Sequence, residues 1–283
     1  MHLSLIAYPP GAPAIRGLLP ARTPAVIGRN PQCALRIAHS SVSDLHSRIE
    51  PTADGIRVVD LGSRLGTFVG DAGIRDAMLP PGGGWVRLGH VDCAIEPVEA
   101  ELAALLERRK EERRSRAMRH LVQLNRLADL EAVVDHTLRA ALDLADARRG
   151  FVVLRDGGDY RLQSAHALTP GRADAGTPQR VDAMERALGH RMPVVFNRLA
   201  GLPGAPTPAG ALAALPLVDG RDVLGAVCVE HDGVEPLTDL EFELLQELAE
   251  RAARSIVAQG ADRRLRTPPG RSWRTVLGAA NDD

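Results

Sequence analysis

Lysine is almost absent from this chain; Lys110 is the only one in 283 residues. Phosphate-loop nucleotidases, kinases and Schiff-base enzymes each need a lysine at a defined site, so the sequence argues against an enzyme. Aromatic residues are scarce as well, at 3%, which leaves the cores to Val, Leu, Ile and Ala. The three cysteines (Cys33, Cys93, Cys228) lie far apart with no metal-ligand spacing. They read as small buried side chains in a reducing compartment. No run approaches the length of a membrane span. Met1 to Pro10 lacks the basic region and long apolar core of a signal peptide. A cytoplasmic protein is the expectation. A net charge of −1 provides no global field for nucleic acid or a membrane surface.

The length predicts two domains, each able to bury a core. Residues 1–98 carry closely spaced β-rich runs: Pro24–Ile27, Ala34–Ile37, His46–Glu50, Gly55–Val59, Thr67–Val69, Gly84–Leu88 and Val91–Glu96. Pro, Gly, Asp and Ser separate them, a pattern that predicts an all-β sandwich. Three loop motifs stand out: Gly28-Arg29, Ser43 to His46, and Ser63-Arg64-Leu65-Gly66-Thr67. Arginine offers a forked cationic donor and serine a hydroxyl, a chemistry suited to phosphate.

In order and spacing these motifs resemble the forkhead-associated (FHA) domain, a phosphothreonine-binding module. The resemblance implies that Arg29 and Ser43 contact phosphate and that Arg64 sits at a variable position that often does so. It implies a bracing role for His46 behind the Ser43 loop, and support of the site by Gly28, Gly66 and Thr67. Two departures count against an intact pocket. Leu65 replaces the asparagine that clamps the peptide main chain in the family, and it has no donor or acceptor. Asp44 follows Ser43 and would repel a phosphate by on the order of 1–3 kcal/mol in a wet site. A pairing of Arg64 with Asp44 would mask that charge and occupy Arg64.

Residues 99–128 lack Pro and Gly and predict a helical connector with short leucine stripes at either end. Its charged middle, with Arg108–Glu112 and Glu112–Arg116 at i,i+4, reads as a solvated face. Residues 129–258 alternate helix, strands, helix, strands, helix, which predicts an α+β domain with an antiparallel sheet. Asp129 is a helix cap, and Thr238 to Glu241 is a capping box. This part resembles a GAF domain through Leu215-Pro216-Leu217, Val223 to Val227 and Leu237 to Ala253. The cyclic-nucleotide signature of some GAF domains is absent, so no cofactor is implied. His166, His190 and His231 with Cys228 have no spacing that makes a metal site. Residues 259–283 predict a disordered tail, with Thr267 in an arginine-rich, kinase-site-like context.

The combined expectation is a multidomain, non-catalytic signalling adaptor. Its FHA-like part binds a phosphothreonine-containing protein. Its GAF-like part senses a small molecule or forms a homodimer through the connector and the apolar stripes of its first and last helices. A structural dimer with an inactive pocket and an enzyme built on the GAF-like domain are the alternatives.

Overall fold

Alternation along the first strand shows how the N-terminal core is built. In His2–Tyr8 (β1), Leu3, Leu5 and Ala7 point inward and are buried, as a period of two requires. The computed structural model describes residues 2–20, 23–168, 174, 176–198, 210–233, 235–259 and 271–278. The chain divides into two units, 1–110 and 111–283.

The first unit continues with Ile15–Pro20 (β2), Ala25–Gly28 (β3), Leu35–Arg36 (β4), Ser47–Pro51 (β5), Ile56–Asp60 (β6) and Thr67–Val69 (β7). Ala72–Ile74 (β8), Asp76–Leu79 (β9), Gly84–Leu88 (β10) and Val91–Val98 (β11) complete it. One sheet has the order β2-β1-β11-β10-β7-β8 and the other β4-β3-β5-β6-β9. Their inner faces share one core in which Leu5, Val86 and Ile95 of the first sheet meet Ile27, Ile49 and Val58 of the second. This is a β-sandwich. The strands β1, β2, β8 and β9 add to those expected from sequence.

Ala100–Leu124 (α1) is a single helix that contains the boundary between the units. Its charged middle is not a purely solvated face, contrary to the expectation for the connector. Arg113 pairs with Asp146 and Glu241, and Arg116 pairs with Asp143 at 2.8 Å, so acids from two other helices replace the i,i+4 partners. Ala117 and Leu124 lie in the core of the second unit.

That unit comprises Leu130–Leu144 (α2), Arg149–Asp156 (β12), Asp159–His166 (β13), Thr177–His190 (α3), Val194–Arg198 (β14), Gly210–Asp219 (β15), Asp222–His231 (β16), Asp239–Ala258 (α4) and Trp273–Val276 (α5). Asp129 caps α2 by accepting from the Ala132 N–H at 3.1 Å. The Thr238 N–H donates to the Glu241 carboxylate at 2.8 Å at the start of α4. The strands form one antiparallel sheet, β13-β12-β16-β15-β14. Both faces are covered, which is why the central strands are apolar throughout. Val152, Leu154, Val227 and Val229 face α2 and α4, whereas Phe151, Val153, Ala226 and Cys228 face α3 and α5.

Two expectations are corrected here. The apolar stripes of α2 and α4 are consumed inside the unit, since Val133, Leu138 and Leu144 pack with Leu245, Leu248 and Ile256. They are therefore not free to join two copies. The tail is structured over 271–278: the Leu162 N–H donates to the Arg271 carbonyl at 3.1 Å, and Trp273 and Leu277 are buried among Phe151, Met184 and Leu188. Edge pairing and one aromatic anchor order this segment. Thr267 lies outside the described residues.

Candidate functional site

Strand β3 ends at Gly28 because the chain turns there against a neighbouring loop. A Cβ at Gly28 would stand 2.1 Å from the Asp44 carbonyl oxygen, so only glycine permits this approach. The Arg29 N–H then donates to the Ser43 carbonyl at 2.9 Å and the Asn30 N–H to the Asp44 carbonyl at 3.1 Å. A third loop joins them, as the Arg64 N–H donates to Ser43 Oγ at 2.9 Å. Arg29, Ser43 and Arg64 are thus brought together by backbone geometry. Ser43 Oγ uses a lone pair on Arg64 and keeps its hydroxyl hydrogen for another acceptor.

His46 holds the Ser43 loop from beneath. Its Nδ1 accepts from the Ser43 N–H at 3.0 Å, which leaves the proton on Nε2, 3.1 Å from the Gly66 carbonyl it donates to. The ring is fully buried, and burial lowers its pKa against the smaller opposing effects of Gly66 and Asp60. Both bonds need the neutral tautomer. Gly66 takes φ +78°, which turns its carbonyl toward both His46 and the Gly89 N–H.

Asp60 is the organiser that motif reading passed over. Its Oδ1 accepts from the Gly62 and Ser63 N–H groups at 2.8 and 2.9 Å, and Oδ2 from the Ser63 and Thr67 hydroxyls at 2.6 Å each. Burial pushes this carboxyl up, but those donors outweigh it and hold its pKa below the usual range. Thr67 is fully buried and in turn accepts from Ser47 Oγ at 2.7 Å. The Asp-x-x-Ser spacing of Asp60 and Ser63 was the available signal for such a turn. Ser41, which accepts from the His90 N–H at 3.0 Å, was also missed.

The charges at the surface of these loops differ from expectation. Asp44 pairs with Arg29 at 2.9 Å, the two side chains being 67% and 51% exposed. Arg64 instead donates to the Ser40 carbonyl at 2.9 Å, a neutral acceptor. Strand β3 delivers Arg29 to Asp44 through the two backbone bonds described above, while Arg64 turns toward the other end of the serine loop.

Family models match both units. Residues 25–84 match the FHA domain and residues 128–257 the GAF domain. An FHA domain is followed by a GAF domain. No curated protein sequence matches the chain at a significant level. Among solved structures, an FHA domain from Chlamydia trachomatis is 20% identical over 35% of this chain and 100% of its own, with a TM-score of 0.32. One from Mycobacterium tuberculosis is 18% identical over 34% of this chain and 100% of its own, at 0.28. A GAF domain of a phosphoenolpyruvate-protein phosphotransferase from Coxiella burnetii is 13% identical over 53% of this chain and 95% of its own, at 0.41.

The GAF domain has its own charged cluster. Arg180, on α3, donates to Glu230 Oε2 at 2.6 Å and to Thr177 Oγ1 at 3.2 Å, and also pairs with Asp174. Arg149 reaches Asp232 at 2.5 Å and Glu230 at 3.6 Å. Among the described residues, no group of three or more His, Cys, Asp or Glu side chains is arranged to hold a metal ion. No helix among the described residues is long and apolar enough to cross a membrane.

Proposed function

We propose that this protein is a non-catalytic, cytoplasmic regulatory adaptor whose FHA domain binds a phosphothreonine-bearing protein segment through Arg29, Ser43 and Arg64. The observation that supports the proposal is that backbone hydrogen bonds bring together the loops carrying two exposed arginines and the Ser43 hydroxyl, loops held by His46 and Asp60. Charge-assisted donors of this kind suit a doubly charged phosphate. An exposed ion pair is worth about 0–1 kcal/mol, so Arg29 can exchange Asp44 for phosphate at little cost. The GAF domain is the regulatory, sensing part of the adaptor. A homodimer would use Met118 and Val122, which lie one turn apart and exposed on α1, and light scattering of the purified chain tests that.

The Arg29–Asp44 pair favours a second reading, a scaffold whose pocket no longer accepts phosphate. A phosphopeptide array separates the two. Under the adaptor reading, phosphothreonine spots bind wild type and fade with Ser43→Ala and Arg64→Ala. An array without phosphate-dependent spots supports the scaffold.

A further inference from the structure

Three exposed leucines lie on the loops of the candidate phosphate site. Among the described residues of the first unit, the exposed large apolar side chains are Leu45, Leu61, Leu65, Met78 and Leu102. Three of these five sit on the loops that carry Ser43 and Arg64: Leu45 is 56% exposed, and Leu61 and Leu65 are each 37% exposed. Backbone hydrogen bonds hold the two loops side by side, the Leu61 N–H donating to the His46 carbonyl at 2.9 Å and the Arg64 N–H to Ser43 Oγ at 2.9 Å. Isolated surface leucines need no explanation, but a group of them on two adjoining rigid loops marks a contact surface.

We infer that Leu45, Leu61 and Leu65 form an apolar rim to the phosphate site, and that the segment it takes carries apolar side chains flanking its phosphothreonine. This rests on the phosphothreonine reading above. The occupant follows from the chemistry of the loops. Arg29, Arg64 and the Ser43 hydroxyl call for an anion, and the side chains of Leu45 and Leu65, which follow Asp44 and Arg64, offer neither donor nor acceptor. Leu65, next to Arg64, offers a peptide main chain no side-chain hydrogen bond. Affinity and selectivity beyond the phosphate therefore come from covering leucine surface with the partner's own side chains. Covering one half-exposed leucine raises affinity by about fivefold to tenfold. Recognition thereby shifts from peptide backbone to flanking sequence.

The test uses the full chain and four synthetic peptides, titrated by fluorescence anisotropy. Two carry phosphothreonine and two threonine; in each pair one has Leu and Ile on both flanks and the other Ser and Gly. The expected result is that the phosphorylated apolar-flanked peptide binds about tenfold tighter than the phosphorylated polar-flanked one. In Leu45→Ser/Leu65→Ser that preference falls to about twofold. Phosphate-dependent binding with equal affinity for both flanks overturns the rim and leaves the phosphothreonine reading standing. Binding that ignores phosphorylation, or no binding by any peptide, overturns both. The comparison of flanks in wild type needs no variant to fold.

Discussion

The two arginine–carboxylate pairs at the heart of the two domains are built for opposite purposes. Arg29 and Asp44 lie in the open, 51% and 67% exposed, whereas Arg180 and Glu230 are 4% and 5% exposed. Water solvates either partner of the first pair if they separate, so the pair is weak and exchangeable. Separation of the second pair strands a charge inside the protein, which costs several kcal/mol. Burial lowers the pKa of Arg180, but Glu230 and Asp174 outweigh it and keep the guanidinium charged. The exposed arginine is open to solvent, as the proposed exchange requires; the buried one is part of the frame that holds α3 to the sheet.

The largest expected effect breaks the buried side of this contrast. Arg180→Met removes the guanidinium that donates to buried Glu230 at 2.6 Å and should cost about 3–5 kcal/mol in the unfolding transition of the GAF domain. Urea titration monitored by the fluorescence of Trp273, which lies in that domain's core, measures it. The double variant Arg180→Met/Glu230→Leu should recover part of the loss, because the charge left without Arg180 is then the half-exposed Asp174 and not buried Glu230. Similar stability of Arg180→Met and wild type would show that burial does not distinguish the two pairs.

A smaller effect sharpens the exposed side. Asp44→Asn removes the anion that competes for Arg29 and should tighten phosphopeptide binding by about tenfold, with a melting temperature within about 1–2 °C of wild type. Weaker binding in this variant would mean that Asp44 helps the ligand rather than opposing it.

The smallest effect concerns the brace beneath the loops. Burial sets the pKa of His46 below the ordinary value near 6.5, so between the two values the unfolded chain binds more protons than the folded one. The stabilising contribution of His46 is therefore full at neutral pH and declines as pH falls below about 6.5. The Ser43 amide resonance of the ligand-free protein should shift in that range, since protonation of Nδ1 removes its acceptor. A shift of that resonance centred at or above pH 6.5 would contradict the lowered pKa of His46.

Much of this was legible in the residues, and what was not has physical causes. The sandwich and the α+β order followed from runs with a clear period and firm turn residues, and Asp129 and Thr238 behave as ordinary caps. Strand β1 was readable from the alternation of Leu3, Leu5 and Ala7. Strands β8 and β9 are three and four residues long, too short to show a period. Helix α5 offers no local signal beyond Trp273, Val276 and Leu277, and its order comes from β13 and α3. In the candidate site, motif spacing pointed to Arg29, Ser43, His46 and Arg64, whose loops hydrogen bonds bring together. It could not decide which arginine meets Asp44, because that depends on how two backbone bonds align β3 with the serine loop. Nor could it announce the rim, since a leucine in a loop looks the same in sequence whether buried or exposed.

The central claim is that Arg29 exchanges an exposed carboxylate for a partner's phosphate. Isothermal titration of the full chain with one phosphothreonine peptide and its threonine counterpart, repeated with Arg29→Ala, tests it most directly. The account expects tight binding of the phosphorylated peptide alone to wild type, and a loss of about tenfold or more in Arg29→Ala without loss of fold. Equal binding of the two peptides to wild type, or phosphate-dependent binding that survives Arg29→Ala undiminished, would contradict it.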